Sequence, residues 1–205
     1  MLINKLNSIV MQTAEGVNNI LIDMKIEHYK MYLNNMYHYT INSHEQLMEA
    51  SVKMAFIKDR TLEDLFSELA KEEEKHYILA ELDLSSMNEK PTRFVPDSVK
   101  NIHSFWNEIS AENAICYLGV MYVFENIAHH LNINLLNDTL TRLQLNKSKT
   151  RFIMTHLHED ARHGALILCA CERIHDNNQQ EAIVDAAKQA ANLWLRMHLL
   201  SEESV

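Results

Sequence analysis

Glycine and proline are scarce in this chain of 205 residues, which has three and two of them, against roughly 7% and 5% in ordinary proteins. Leucine, methionine, alanine, glutamate and lysine, which all favour helices, are plentiful. Few helix breakers among many helix formers predict an all-α protein. The length is enough for one sizeable buried core, so we expect a single domain over residues 1–205.

Positive charge is also in short supply. The 19 Lys and Arg against 28 Asp and Glu give a formal net charge of −9, which argues against a nucleic-acid binder, because phosphate binding needs a basic surface. No uncharged apolar run approaches the ~18 residues of a transmembrane helix, and the first residues lack the apolar core of a secretory signal. Three cysteines, an odd number in apolar contexts, favour free thiols. We therefore expect a cytoplasmic protein without membrane or nucleic-acid partners.

One stretch, residues 151–171, carries a metal-ligand pattern and reads RFIMTHLHEDARHGALILCAC. His156, Asp160 and His163 are spaced i, i+4, i+7, so at ~100° per residue they lie on one face of a helix. Imidazole and carboxylate suit iron or manganese, whereas a thiolate-rich set would indicate zinc or an iron–sulfur cluster. The stretch predicts part of a metal site, with a surface His–Asp interaction as the alternative.

Two more candidate ligands lie in a helix predicted over residues 62–84, with Thr61 and Asp64 as its N-cap signature. Glu73 and His76 are three residues apart there and share one side of the helix. A solvated acidic face is the other interpretation of the run EEE at residues 72–74.

A sixth candidate ligand lies at the end of the most apolar segment, which follows Ser110. No charge occurs from Ile115 to Phe124, so this helix is predicted to be central and buried. Glu125 comes next, and a lone carboxylate in such an interior costs on the order of several kcal/mol unless it is paired or bound to metal. The alternative to metal binding is a Glu at the helix end that reaches water or pairs with His129 at i+4.

The remaining segments predict the rest of a helical domain. Residues 3–33 predict one long helix or two short ones, and residues 85–98, which hold both prolines, predict a loop between two helical halves. A turn is predicted at residues 176–180, followed by a last helix over 182–200.

Together the three ligand-bearing helices offer three carboxylates and three imidazoles. This set is large enough for two metal ions with one bridging carboxylate and open positions for dioxygen. Its two [Asp/Glu]-x-x-His pairs are also typical of ferritin-like diiron bundles. The candidate ligands are Glu73, His76, Glu125, His156, Asp160 and His163.

Three features follow one another along the chain: the run EEEKH, a Glu in an apolar central helix, and the run HLHEDARH. This order resembles that of the heme-oxygenase-like diiron oxidases and oxygenases, the iron-containing redox enzyme family. The similarity runs from about Thr40 to His175. It implies a bundle of about seven helices, as in heme oxygenase but without heme. It also implies that the six residues bind two Fe(II), with Glu72 as the alternative to Glu73.

The resemblance further implies a centre that activates dioxygen and oxidises a small organic substrate. Known members carry out N-oxygenation, oxidative C–C cleavage or desaturation, often on amino acids or fatty acids in specialised pathways. No catalytic residue is expected beyond the metal ligands. Tyr117, Tyr122, Phe124 and His129 are candidates to line the substrate pocket, with ordinary core packing as the alternative. An external electron donor and a homodimer remain open.

Three alternatives belong to other functional classes. A heme oxygenase would need a Gly-rich distal helix, which three glycines cannot supply, and His28 is a poor proximal ligand. A thiaminase-like hydrolase of the same fold would use Cys116 as its nucleophile, but it would leave six metal-type ligands unexplained. A ferritin-like protein would bind iron without consuming a substrate.

Overall fold

The computed structural model describes residues 1–199, excluding the side chain of Ala161. These residues are all-helical, with ten α-helices and two 3₁₀ turns where about seven helices were expected. The α-helices are α1 (Leu2–Ile22), α2 (Ile26–Thr40), α3 (Ser43–Phe56), α4 (Arg60–Glu72), α5 (Tyr77–Ser85), α6 (Asp97–Glu108), α7 (Tyr117–His130), α8 (Ile133–Arg142), α9 (Arg151–Glu172) and α10 (Asn177–His198). None of the helices in this part of the chain has the length and apolarity needed to cross a membrane.

Helix α7 is the centre of the bundle, as its apolar sequence predicts. It packs against α1, α9 and α10, and every residue from Tyr117 to Glu125 is buried. Two of the three glycines allow close helix approach here. A Cβ at Gly119 would lie 2.1 Å from the carbonyl oxygen of Ile183 in α10. Glycine at this position lets the backbones of α7 and α10 approach closely.

The predicted helix over residues 62–84 is two helices. Helix α4 ends at Glu72 and α5 begins at Tyr77, and between them Lys75 takes a left-handed φ of 74°. Consecutive carboxylates at the end of a helix face the negative end of its dipole, which favours termination there. A non-glycine residue in this region costs about 1–3 kcal/mol, and such strain clusters at functional sites.

Two helix starts also differ from the predictions. The side chain of Asp59 caps α4 by accepting the amide of Leu62 at 3.1 Å, so the cap precedes the expected Thr61. Asp176 accepts the amide of Gln179 at 2.9 Å and caps α10. The Asn and Gln residues predicted as a turn are thus the first turn of the last helix.

Helix α9 spans Arg151–Glu172, matching the predicted helix, and α5 holds its first turn. The Asp83 side chain is fully buried. Its Oδ2 accepts the Phe152 amide at 2.9 Å, and its Oδ1 accepts the Arg151 guanidinium at 3.1 Å. Because the first amides of a helix have no partner within it, Asp83 satisfies one of them from a neighbouring helix.

Asp83→Ala is expected to lower the free energy of unfolding by about 2 kcal/mol, because it leaves the Phe152 amide buried and unpaired. Hydrogen exchange at the Phe152 amide should become faster than in the wild type. The matched control is Asp97→Ala, an exposed aspartate in the first turn of α6 that pairs with Lys100. It should leave exchange at Phe152 unchanged and lower the free energy of unfolding much less than Asp83→Ala does. Unchanged exchange at Phe152 in Asp83→Ala would contradict this anchoring role.

Candidate metal centre

The first ligand group lies between the α4–α5 break and α9. Glu73, His76 and His156 each offer one ligand atom, and these atoms lie within 4.8 Å of one another. Glu73 Oε2 is 2.9 Å from His76 Nδ1. The break, with Lys75 at its turn, thus brings together two residues that the sequence placed on one continuous helix.

The second group shares Glu73 with the first. Glu73, Glu125 and His163 also place one ligand atom each within 4.8 Å, and His163 Nδ1 is 3.1 Å from Glu125 Oε2. Helix α9 comes this close to α7 because Gly164 follows His163. A Cβ at Gly164 would lie 3.0 Å from the Glu125 carbonyl oxygen. One carboxylate common to two groups has the arrangement of a bridging ligand.

Glu72 lies on the outer side of His163. Its Oε2 is 2.7 Å from His163 Nε2, on the ring edge opposite the nitrogen that faces Glu125. Glu72 also pairs with Arg162, whose other guanidinium nitrogen is 3.6 Å from Glu68. This geometry suits an outer carboxylate that orients a ligating imidazole.

The histidines of the first group have the hydrogen bonding of metal ligands. His156 Nδ1 is 2.8 Å from the carbonyl oxygen of Phe152. Because a carbonyl can only accept, this nitrogen carries the proton and Nε2 keeps a free lone pair. His76 Nδ1 is buried and, despite its proximity to Glu73, makes no hydrogen bond. Such an orphaned nitrogen is expected where a metal ion belongs, so these residues fit iron.

Asp160 shares the buried region, with 8% of its surface exposed, but it is not among the two groups above. Burial first, and then the neighbouring carboxylates led by Glu125, raise the pKa of Asp160 to about 10. Burial also raises the pKa of Glu125. These carboxylates repel one another in a low-dielectric interior, and a bound cation would relieve that repulsion.

The imidazoles partly offset this negative charge. Burial alone would raise the pKa of Glu73, but the close approach of His76, at 2.9 Å, and the charges of the neighbouring histidines hold it below its ordinary value. Burial lowers the pKa of His163, yet its contacts with Glu125 and Glu72 outweigh burial and raise it to about 9. In the absence of metal, protonated His163 therefore supplies positive charge that a metal ion would otherwise supply.

A mostly apolar cavity opens beside the candidate ligands. Its empty volume is about 1250 Å³, including space open to solvent. Glu73, Glu125, His156 and Asp160 line it. The rest of the wall comes mainly from aliphatic and aromatic side chains of α1, α2, α7, α8, α9 and α10, including Ile20, Leu21, Tyr32, Tyr39, Phe124, Leu136, Leu140, Leu157 and Trp194.

Of the four predicted pocket residues, Phe124 lines this cavity and the other three do not. Tyr122 is two residues from Phe124, ~160° around the helix, and its hydroxyl donates to Asn7. His129 is exposed. The Tyr117 hydroxyl donates to the Trp106 carbonyl at 3.1 Å, away from the ligands.

Cys116 lacks the setting of a nucleophile. Its thiol donates to the Ala182 carbonyl at 3.7 Å, and burial, followed by the charge of Asp185, raises its pKa. A reactive thiol needs the opposite shift. Cys116 also does not line the cavity.

Several residues that serve the site were not found from the sequence. The capping residue Asp83 and the outer carboxylate Glu159, 3.4 Å from His76 Nε2, are two of them. Glu159 stands beside Asp160 in the HEDARH motif, so its position was a usable signal. Gln46 and Tyr39 reach the cavity wall from helices without any recognisable motif.

Among solved structures, the chain is similar to a domain of unknown function with a heme oxygenase-like fold from Shewanella denitrificans OS217. The identity is 19%, the TM-score is 0.79, and the match covers 96% of this chain and 87% of that chain. This similarity shows the heme oxygenase-like fold. No curated protein matches. A family model described as iron-containing redox enzyme matches residues 30–195. The region matched includes all six candidate ligands, and the chain belongs to the iron-containing redox enzyme family.

Proposed function

We propose that the chain is a non-heme diiron enzyme that uses dioxygen to oxidise a small, largely apolar organic substrate. The observation that carries this proposal is the shared carboxylate of Glu73, which belongs to two three-residue ligand groups at the wall of an apolar cavity. When bound there, two irons would supply the oxygen-activating chemistry.

The protein residues would divide the remaining work. His76 and His156 would complete one iron position with Glu73, while Glu125 and His163 would complete the other. Asp160 is the sixth ligand that the family resemblance implies. It lies one helical turn from both histidines of α9, and a metal ion would favour its ionised form.

The cavity favours the apolar end of the substrate range known for this family. Its wall beyond the ligands is mainly hydrocarbon and aromatic, and no lysine or arginine lines it within the described residues. A small zwitterionic amino acid would find no cationic side chain for its carboxylate there, whereas a hydrocarbon chain would gain roughly 0.8 kcal/mol for each CH₂ that it buries.

A change in cavity length should change substrate length. Ala128 lines the cavity one helical turn from Glu125. Ala128→Trp is expected to shift the preferred substrate to chains shorter by several carbons, without changing the number of irons bound. The measurement is dioxygen consumption and product mass for a series of straight-chain acids, amines and amides. The matched control is Ala165→Trp, at an exposed position of α9.

Three outcomes separate the alternatives. Product formation that depends on chain length supports the proposed enzyme. Iron that is oxidised and retained, with no organic product from any chain compound, would indicate a ferritin-like protein instead. Turnover without bound iron that is lost in Cys116→Ser would indicate the thiol-dependent hydrolase.

A further inference from the structure

Gln46 is a buried amide in the wall of the cavity. It lies on α3 with 7% of its surface exposed. Its main-chain carbonyl accepts from the Trp106 indole at 3.1 Å, and its side-chain Nε2 is 2.6 Å from Nδ1 of His103. Gln46 is therefore held at two points by α6, and the metal-site residues play no part in holding it.

The hydrogen bonds of His103 determine which way the Gln46 amide points. His103 Nε2 is 3.2 Å from the main-chain carbonyl of His38, which can only accept, so Nε2 carries the proton. Burial lowers the pKa of His103, so its ring is neutral and Nδ1 is an acceptor. Gln46 must then donate through its NH₂ group. Its Oε1 has no hydrogen-bond partner among the described residues.

A second polar group lies one helical turn before Gln46. Ser43 lines the same cavity with 7% of its surface exposed, and its hydroxyl makes no hydrogen bond among the described residues. The nearby Thr40 hydroxyl is already used, since it donates to the Met36 carbonyl at 2.7 Å. Residues i and i+3 of a helix lie on one face. The wall thus offers one acceptor and one hydroxyl that can donate.

We propose that Gln46 Oε1 and the Ser43 hydroxyl form a subsite for an uncharged, hydrogen-bond-donating end group of the substrate, best matched by a primary carboxamide. The carboxamide N–H would donate to Gln46 Oε1, and its carbonyl would accept from Ser43. A carboxylate end group would meet the Gln46 acceptor without a cation to offset its charge. The relevance of this subsite to catalysis rests on the proposed function, but binding at it requires no iron.

The test compares decanamide with N,N-dimethyldecanamide, which lacks the N–H donors. Both tryptophans of the chain, Trp106 and Trp194, line the cavity, so their fluorescence reports its occupancy. Titrations use the full chain loaded with Fe(II) under nitrogen, where no turnover occurs, and are repeated without iron. The wild type should bind decanamide about tenfold more tightly than the dimethyl compound. In the iron-free chain it should bind decanoate more weakly than decanamide.

Gln46→Met should reduce the tenfold preference to under about twofold, since it removes the acceptor but keeps a similar side-chain length. The control is Gln189→Met, an exposed glutamine of α10, which should keep the preference. Equal binding of the two amides by the wild type, or an unchanged preference in Gln46→Met, would overturn the proposal. So would decanoate binding as tightly as decanamide without iron.

These results are distinguishable from a failure of the proposed function. A chain that binds no iron but prefers decanamide would keep the subsite and remove the diiron assignment. A chain that binds two irons but binds the two amides equally would keep the diiron assignment and remove the subsite. Binding of none of these amides, with or without iron, would overturn the subsite and also the apolar substrate class.

Discussion

Glu73→Ala is expected to leave the chain unable to bind either of the two proposed irons. Glu73 is the residue common to both ligand groups, so its loss removes one donor from each position and the bridge between them. His156→Ala and His163→Ala should each remove one iron, because each histidine belongs to one group. The measurement is the iron content after anaerobic Fe(II) loading and desalting.

The neighbouring residue, Glu72, provides the matched control for Glu73→Ala. Glu72→Ala should still bind two irons, with affinity lowered about tenfold, because Glu72 contacts the far nitrogen of His163 and acts through that ring. Circular dichroism should show unchanged helical content in both variants. Two irons in Glu73→Ala together with iron loss in Glu72→Ala would exchange the roles assigned to these glutamates.

Gly119→Ala is expected to be the most destabilising single-methyl change in the bundle. The added Cβ would lie 2.1 Å from the backbone carbonyl oxygen of Ile183, so α7 and α10 would have to separate. Overpacking of this kind costs about 3 kcal/mol or more, which corresponds to roughly 10 °C in Tm for a chain of this size. Differential scanning calorimetry measures the shift.

Gly16→Ala is the control for this prediction. A Cβ at Gly16 would meet only the side chain of Leu195, whose Cδ2 is 2.8 Å away and can rotate. The alanine also favours the helix by up to about 1 kcal/mol. Gly16→Ala should therefore shift Tm by no more than a few degrees. Similar shifts for the two variants would mean that α7 and α10 do not depend on this close approach.

Local sequence pattern was sufficient to predict the helix that carries three of the six candidate ligands. His156, Asp160 and His163 follow the helical period within an apolar stretch, and the helix they predicted matches α9. The buried position of Glu125 was equally visible, because it follows ten residues without charge. In both cases the signal lies within one helix, where spacing alone determines the face.

Features that depend on contacts between helices were not predictable. The break at residues 73–76 and the anchoring of α9 by Asp83 each require a neighbouring element. Only Phe124 of the four predicted pocket residues lines the cavity, and the reason is a different one. The pocket prediction placed residues from several faces of α7 in one wall, although the helical angle between Phe124 and Tyr122 already separates them.

The most direct test of the diiron centre is an anaerobic Fe(II) titration of the wild-type chain, followed by exposure to dioxygen and measured by Mössbauer and EPR spectroscopy. We expect saturation at two irons per chain, and an oxidised protein whose two ferric ions are magnetically coupled and therefore EPR-silent. Saturation at one iron with the strong EPR signal of isolated ferric ions, or no iron uptake, would contradict the diiron centre.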